Sequence, residues 1–192
     1  MKRFISLLMS ALMLVAVLAG CGGSGSGGSG GEQGNDASEN IVTLRNTGFL
    51  TTSDPNQTTN THEYTVFENI YEGLYDLNEA EGGYDLRLAE KIEANDDATE
   101  YIVTLRKDVK FHNGESMTAD DVVFSYDLAQ ASPKQASYVR PLDHVEKVDE
   151  HTVKIVMNQS FSPIGHMLHK VKILSQKEVT EQGDNFGKVA NK

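Results

Sequence analysis

Residues 101–126 read YIVTLRKDVKFHNGESMTADDVVFSY, and this run decides how the rest of the chain is organised. Tyr101, Val103 and Leu105 alternate with Ile102, Thr104 and Arg106. A period of two, rich in β-branched and aromatic residues, predicts a strand with one face on a core. Val109 and Phe111 carry the alternation past Lys107 and Asp108. Asn113-Gly114 then supplies residues that tolerate positive φ, so the chain is expected to reverse there. Thr118, followed three residues later by Asp121, predicts a capping box, with the carboxylate at the positive end of a helix dipole. Val122, Val123, Tyr126 and Ala129 form the expected buried stripe of that helix.

Read as a unit, these residues resemble the strand, hairpin and helix of the family 5 extracytoplasmic solute-binding proteins, which deliver oligopeptides, dipeptides or nickel to ABC importers. The resemblance extends outward on both sides. Asn69 with Ile70-Tyr71-Glu72-Gly73-Leu74-Tyr75 resembles the family's N-x-Y-E-G-L segment, and Ala131–Tyr138 resembles its S-P-x-A-S-Y turn with one additional residue. Val148–Val153 resembles V-D-x-x-T-V. Leu88-Ala89-Glu90 resembles part of G-L-A-E-x-W, with Arg87 where glycine is usual and Ile92 where tryptophan is usual. The resemblance implies an α/β, two-lobed periplasmic-binding-protein-like class II fold, of which only the N-terminal part is present. Residues 41–74 would start lobe 1, 75–165 would form its accessory region, and 166–192 would return to lobe 1. Gly183–Gly187 resembles the segment before the family's P-x-G-x-G-P-Y turn, so a partial or truncated form is expected.

Local patterns add further elements. Ile41–Leu44 reads as a first strand. Residues 63–72 carry apolar side chains at helical spacing, with Gly73 as the expected C-terminal cap. Val145–Val148 and the alternating Val153, Ile155 and Met157 predict a hairpin turning at Asp149-Glu150. Phe161, Pro163, Ile164, Met167 and Leu168 open another helix, and Lys172–Ser175 reads as the strand returning to lobe 1.

Ahead of the folded body, Lys2 and Arg3 precede an apolar stretch that ends Leu18-Ala19-Gly20-Cys21. A charged start, an apolar centre and small residues at the end are the features of a signal peptide over residues 1–20. The run is slightly short for a spanning helix, which needs about 20 apolar residues. The L-A-G-C tetrad resembles the lipobox of bacterial lipoproteins and implies lipidation of Cys21. As the only cysteine, Cys21 cannot form an intrachain disulfide. Residues 21–40, dominated by glycine and serine, form an expected flexible tether.

The formal charge of -11 makes nucleic acid an unsuitable partner and argues for a body held off anionic lipid by its tether. In the folded part no G-x-S-x-G, no H-E-x-x-H and no reactive cysteine points to catalysis, so no catalytic residue or cofactor is expected. His166 and His169 stand three apart on an expected helix, a spacing that puts them on one face, but without a third ligand at fixed spacing no metal site is assigned. Site expectations therefore come from the resemblance. The chain after the family's first strand runs along the cleft, which implies ligand contacts for Thr47, Gly48 and Phe49. The turn near the cleft mouth implies them for Ser137 and Tyr138. The residues alone equally allow a surface loop with Phe49 tucked into the core, and a tyrosine bridging core and surface.

The implied function is capture of extracytoplasmic oligopeptides or dipeptides for ABC permease subunits, with membrane attachment only through the lipid. A nickel or other small-solute carrier of the same family, or a truncated surface lipoprotein serving as an interaction module, are the alternatives.

Overall fold

A computed structural model describes residues 48–188. The expected signal segment, Cys21, the expected tether, the expected Ile41–Leu44 strand and Thr47 lie outside the described residues. After a 3-10 turn at Pro55–Gln57 come helix α1 (Thr61–Ile70), the hairpin strands β1 (Tyr75–Asn78) and β2 (Gly83–Leu86), and strands β3 (Ala89–Ala94) and β4 (Glu100–Leu105). Helix α2 (Ala119–Ala131) and the short α3 (Ala136–Val139) follow, then strands β5 (Leu142–Asp149) and β6 (Thr152–Met157), helices α4 (Gly165–Lys170) and α5 (Gln176–Gln182), and a 3-10 turn at Gly183–Asn185.

The expected strand is β4, at the heart of an antiparallel sheet ordered β3-β4-β6-β5. Its register against β6 sets Tyr101 opposite Ile155 and Val103 opposite Val153, so the apolar residues of both strands share one face. That face is buried, together with Leu142 and Val145 of β5, under Val122, Tyr126 and Ala129 of α2. Each fully buried aliphatic side chain contributes about 1.5–3 kcal/mol. Ile102, on the opposite face, is exposed. Val123 of the expected stripe is only partly buried, because the helix turns Ser125 into the core instead.

The reversal after β4 occurs as expected, with Gly114 at φ +88° and a bridge between Lys110 and Ser116. Asp121 closes the capping box by accepting the Thr118 N–H at 2.9 Å. Its other oxygen accepts the Gln176 N–H at 3.0 Å, so one carboxylate caps the start of α2 and holds the first residue of α5. The β5–β6 hairpin also follows expectation, with Asp149 opposite Thr152.

Three local expectations change. Gly73 does not cap α1: the helix ends at Ile70, and Tyr71, in extended conformation, donates its N–H to Phe67 O. Gly73 is instead a point of close approach, since a Cβ there would lie 2.6 Å from Leu168 O and 2.8 Å from His169 O. Lys172–Ser175 is not a strand. Ile173 N donates to Glu72 O and Leu174 N to Ser125 Oγ, both at 2.9 Å, and these neighbours offer single acceptors rather than a pairing edge. Helix α4 starts at Gly165, four residues later than Phe161, whose N–H is committed to Ala98 O. The hairpin of β1 and β2 goes beyond the sequence expectation; Gly82 at φ +71° allows its turn.

Candidate ligand-binding face

The loop from Gly48 to Thr58 is held from three directions, by the Glu63 and Tyr71 side chains, by the Gly187 backbone, and by the Ser132 and Gln135 side chains. From α1, Asn60 accepts the His62 N–H at 2.9 Å and starts the helix, which turns Glu63 inward to 2% exposure. Thr51 donates both its N–H and its hydroxyl to Glu63 Oε1, each at 2.6 Å. Burial alone would push the Glu63 carboxyl up, but hydrogen bonds from Thr51, Thr58 and the Thr52 backbone outweigh it and hold the group at about 2. Farther along α1's exit, Tyr71 OH donates to Ser53 O at 2.7 Å.

From the C-terminal side, Gly187 O accepts from Ser53 N at 2.9 Å and from Thr52 Oγ1 at 3.1 Å. Gly187 sits at φ +76°, and a Cβ there would meet Asp54 Cβ at 2.5 Å. Asp54 in turn accepts the Asn56 N–H at 2.8 Å, starting the 3-10 turn.

The third direction is the turn between α2 and α3. Ser132 Oγ donates to Asn56 O at 2.5 Å, and Gln135 Nε2 donates to Pro55 O at 2.7 Å and to Tyr64 OH at 3.0 Å. This network joins the loop that follows Gly48-Phe49 to the turn that precedes Ser137-Tyr138, through partners 76 and 80 positions apart in sequence.

Individual residues are placed differently from one another. Phe49 is 90% exposed, which removes the reading in which it enters the core. Gly48 lies against the His62 ring; a Cβ there would come within 2.8 Å of His62 Cβ. Ser137 is exposed on α3, and Tyr138 is half-buried with its ring centroid 5.5 Å from that of His166. His166 Nδ1 is 3.2 Å from Tyr84 OH. Burial, aided by the nearby Lys170 and His169, lowers the His166 pKa, favouring a neutral ring. Lys170 Nζ stands 5.0 Å from the centre of the Tyr64 ring. The face thus offers aromatic surfaces, hydrogen-bonding groups and one ammonium group.

Helix α4 parts the two histidines considered from sequence. His166 points outward to Tyr84 and Tyr138, whereas His169 is 4% exposed and turns toward Glu68 and Asp76. Spacing alone hid Glu63, Gln135 and Tyr84. Only the Asn60 cap signal, one turn ahead, could have flagged Glu63 as the start of an inward face.

A separate groove of about 690 Å³ opens between the Val109–Met117 hairpin and the segment Ile173–Val179, floored by Leu88, Phe111 and Met117. Among the described residues, none of those expected to touch ligand lines it.

Helix α2 is laid across the antiparallel sheet, and the neighbouring loops are anchored as one polar face. The chain superposes on the binding protein MoaA of A. tumefacien R10, solved with mannopinic acid, with a TM-score of 0.64 and 31% identity, over 71% of this chain and 29% of that one. The substrate-binding domain of an oligopeptide ABC transporter from Bacillus anthracis gives a TM-score of 0.64 at 27% identity, over 72% and 30%. Residues 84–191, more than half of the sequence, match the bacterial extracellular solute-binding proteins, family 5 (Middle), and the chain belongs to that family. Among curated relatives, the glutathione-binding protein GsiB of Salmonella choleraesuis is 29% identical over 160 residues, 79% of this chain. The chain spans 30% of that relative's length. The fold is accordingly the N-terminal part of the two-lobed α/β architecture.

Proposed function

We propose that the chain is the N-terminal portion of a lipid-anchored substrate-binding component of an ABC importer, and that its solutes are peptides. The observation that carries this reading is the membership of family 5 together with relatives described as binding glutathione and serving oligopeptide transport. In it, residues 41–74 and 166–192 belong to lobe 1 and 75–165 to its accessory region. Thr47, Gly48 and Phe49 run along the cleft, and Ser137 and Tyr138 meet the peptide backbone at its mouth. Capture proceeds by closure of two lobes on the solute, with no covalent chemistry, before delivery to the permease. Cys21 carries the lipid, and the Gly/Ser tether lets an acidic body work above the membrane.

The test uses the full-length product of the reading frame. A ligand bound only by the folded state raises the melting temperature, so dipeptides, longer peptides, glutathione, mannopinic acid and nickel are compared by thermal shift. A rise with peptides supports the proposal, and a rise with mannopinic acid or nickel alone overturns the peptide assignment. Mass spectrometry of the membrane-extracted protein tests the anchor: the mature chain is expected to begin at Cys21 with added acyl mass, and an unmodified thiol refutes it.

A further inference from the structure

Beside the candidate face, His169 of α4 belongs to a polar cluster that the proposed solute contacts do not include. His169 is buried among Leu168, Val171 and the β1–β2 hairpin, with its ring centroid 5.9 Å from that of Tyr84. Its two nitrogens face different carboxylates. Nε2 lies 3.5 Å from Glu68 Oε1 on α1, and Nδ1 lies 3.8 Å from Asp76 Oδ1 on β1. Nδ1 has no hydrogen-bond partner although it is fully shielded, an arrangement that leaves a buried polar atom unsatisfied. Ligand atoms from Glu68, Asp76 and His169 all lie within 4.8 Å of one another.

We propose that His169 Nδ1 and the Asp76 carboxylate bind a divalent cation of the zinc type, with Glu68 orienting the imidazole from its Nε2 side. Zinc bonds to nitrogen and oxygen ligands at about 2.0–2.1 Å, so two such atoms at a tetrahedral angle stand roughly 3.4 Å apart. The 3.8 Å gap is too long for a hydrogen bond and closes to that span by a small movement of Asp76, which sits on the rim with its side chain 55% exposed. A carboxylate on the second ring nitrogen is the usual support for a metal-bound histidine, because it fixes the tautomer that frees the other nitrogen. Imidazole with carboxylate suits zinc, while magnesium and calcium prefer oxygen alone. The exposed rim leaves the remaining coordination positions to water.

The neighbouring charges set the division of labour. Lys172 Nζ holds Glu68 Oε2 at 2.7 Å and Lys170 Nζ lies 3.7 Å from Oε1, so Glu68 is already shared with two ammonium groups and acts in support. Asp76 Oδ1 accepts only the neighbouring Leu77 N–H at 2.9 Å, and a lone pair remains for a cation. His166, three residues before on the same helix, is turned to Tyr84 and takes no part.

The test is calorimetric titration of zinc sulfate into the full chain carrying Cys21→Ser, which removes the sole thiol as a competing ligand. One zinc per chain is expected. Asp76→Asn, at an exposed position that leaves the fold intact by circular dichroism, weakens uptake at least tenfold, and Glu68→Gln weakens it by about tenfold, the usual effect of losing an outer-shell carboxylate. His166→Gln leaves it unchanged. In nitrogen-detected spectra of the histidine side chains, zinc shifts Nδ1 of His169. Absence of uptake at millimolar zinc, uptake indifferent to Asp76→Asn, or a shift confined to His166 overturns the proposal.

Discussion

Replacing Glu63 by glutamine removes one charge and little volume from the junction of α1 with the Thr51–Thr58 loop. The carboxylate is 2% exposed and receives two 2.6 Å bonds from Thr51 alone. Hydrogen bonds to a charged group contribute about 1.5–3 kcal/mol each, and the drop of its pKa from 4.5 to about 2 corresponds to about 3 kcal/mol at neutral pH. The hydrogen bonds that depress the pKa are the ones the variant weakens, so Glu63→Gln is expected to cost about 3 kcal/mol at pH 7. Because the folded-state pKa is depressed, this stabilisation is complete above the unfolded value of 4.5 and is lost as pH falls toward 2. Between pH 7 and pH 3 the stability difference between the natural chain and the variant should shrink by about 2 kcal/mol. Urea unfolding followed by circular dichroism at both pH values measures it. A gap of the same size at pH 3 and pH 7 would refute the reasoning, since it would mean that shape rather than charge holds the loop.

Gly73→Ala drives a Cβ against the Leu168 and His169 carbonyls and should lower stability by about 1–3 kcal/mol, read as a reduced urea midpoint. Tyr126 is fully buried with its hydroxyl unpartnered, so Tyr126→Phe should leave stability unchanged or raise it by about 1 kcal/mol in the same assay. Asp121→Ala removes one carboxylate from two helix starts and should cost about 2 kcal/mol, with amide exchange accelerating at Thr118 and Gln176 together; acceleration at Thr118 alone would disprove the shared role. Phe49→Ala, at an exposed position, should leave the unfolding midpoint within about 0.5 kcal/mol of the natural value while weakening peptide binding by the full-length protein.

The central strand, its hairpin and the capped helix were readable from residues 101–126 because each depends on neighbours two to four positions away. Strand alternation, a turn at Asn113-Gly114 and a cap at Thr118 are local rules. Gly73 misled because glycine after a helix has two uses. It accepts positive φ at a cap, or it lets another backbone approach, and only the position of α4 reveals the second. Lys172–Ser175 misled because an apolar extended segment looks the same whether it meets a strand edge or single acceptors such as Ser125 Oγ and Glu72 O.

The candidate face divides in the same way. Sequence resemblance named Gly48, Phe49, Ser137 and Tyr138 one by one, yet nothing in their spacing indicates that Ser132 and Gln135 clamp the Pro55-Asn56 carbonyls and join the two stretches. By itself, then, the sequence determined the family, the strand and helix periods, the leader pattern and the acidic balance, since these are carried by residue type and short spacing. Tertiary structure decided which histidine faces solvent and which meets Glu68 and Asp76, and which carboxylate is buried under Thr51. Those outcomes depend on contacts between segments distant in the chain, where burial and pairing, rather than local propensity, set the free energy of each polar group.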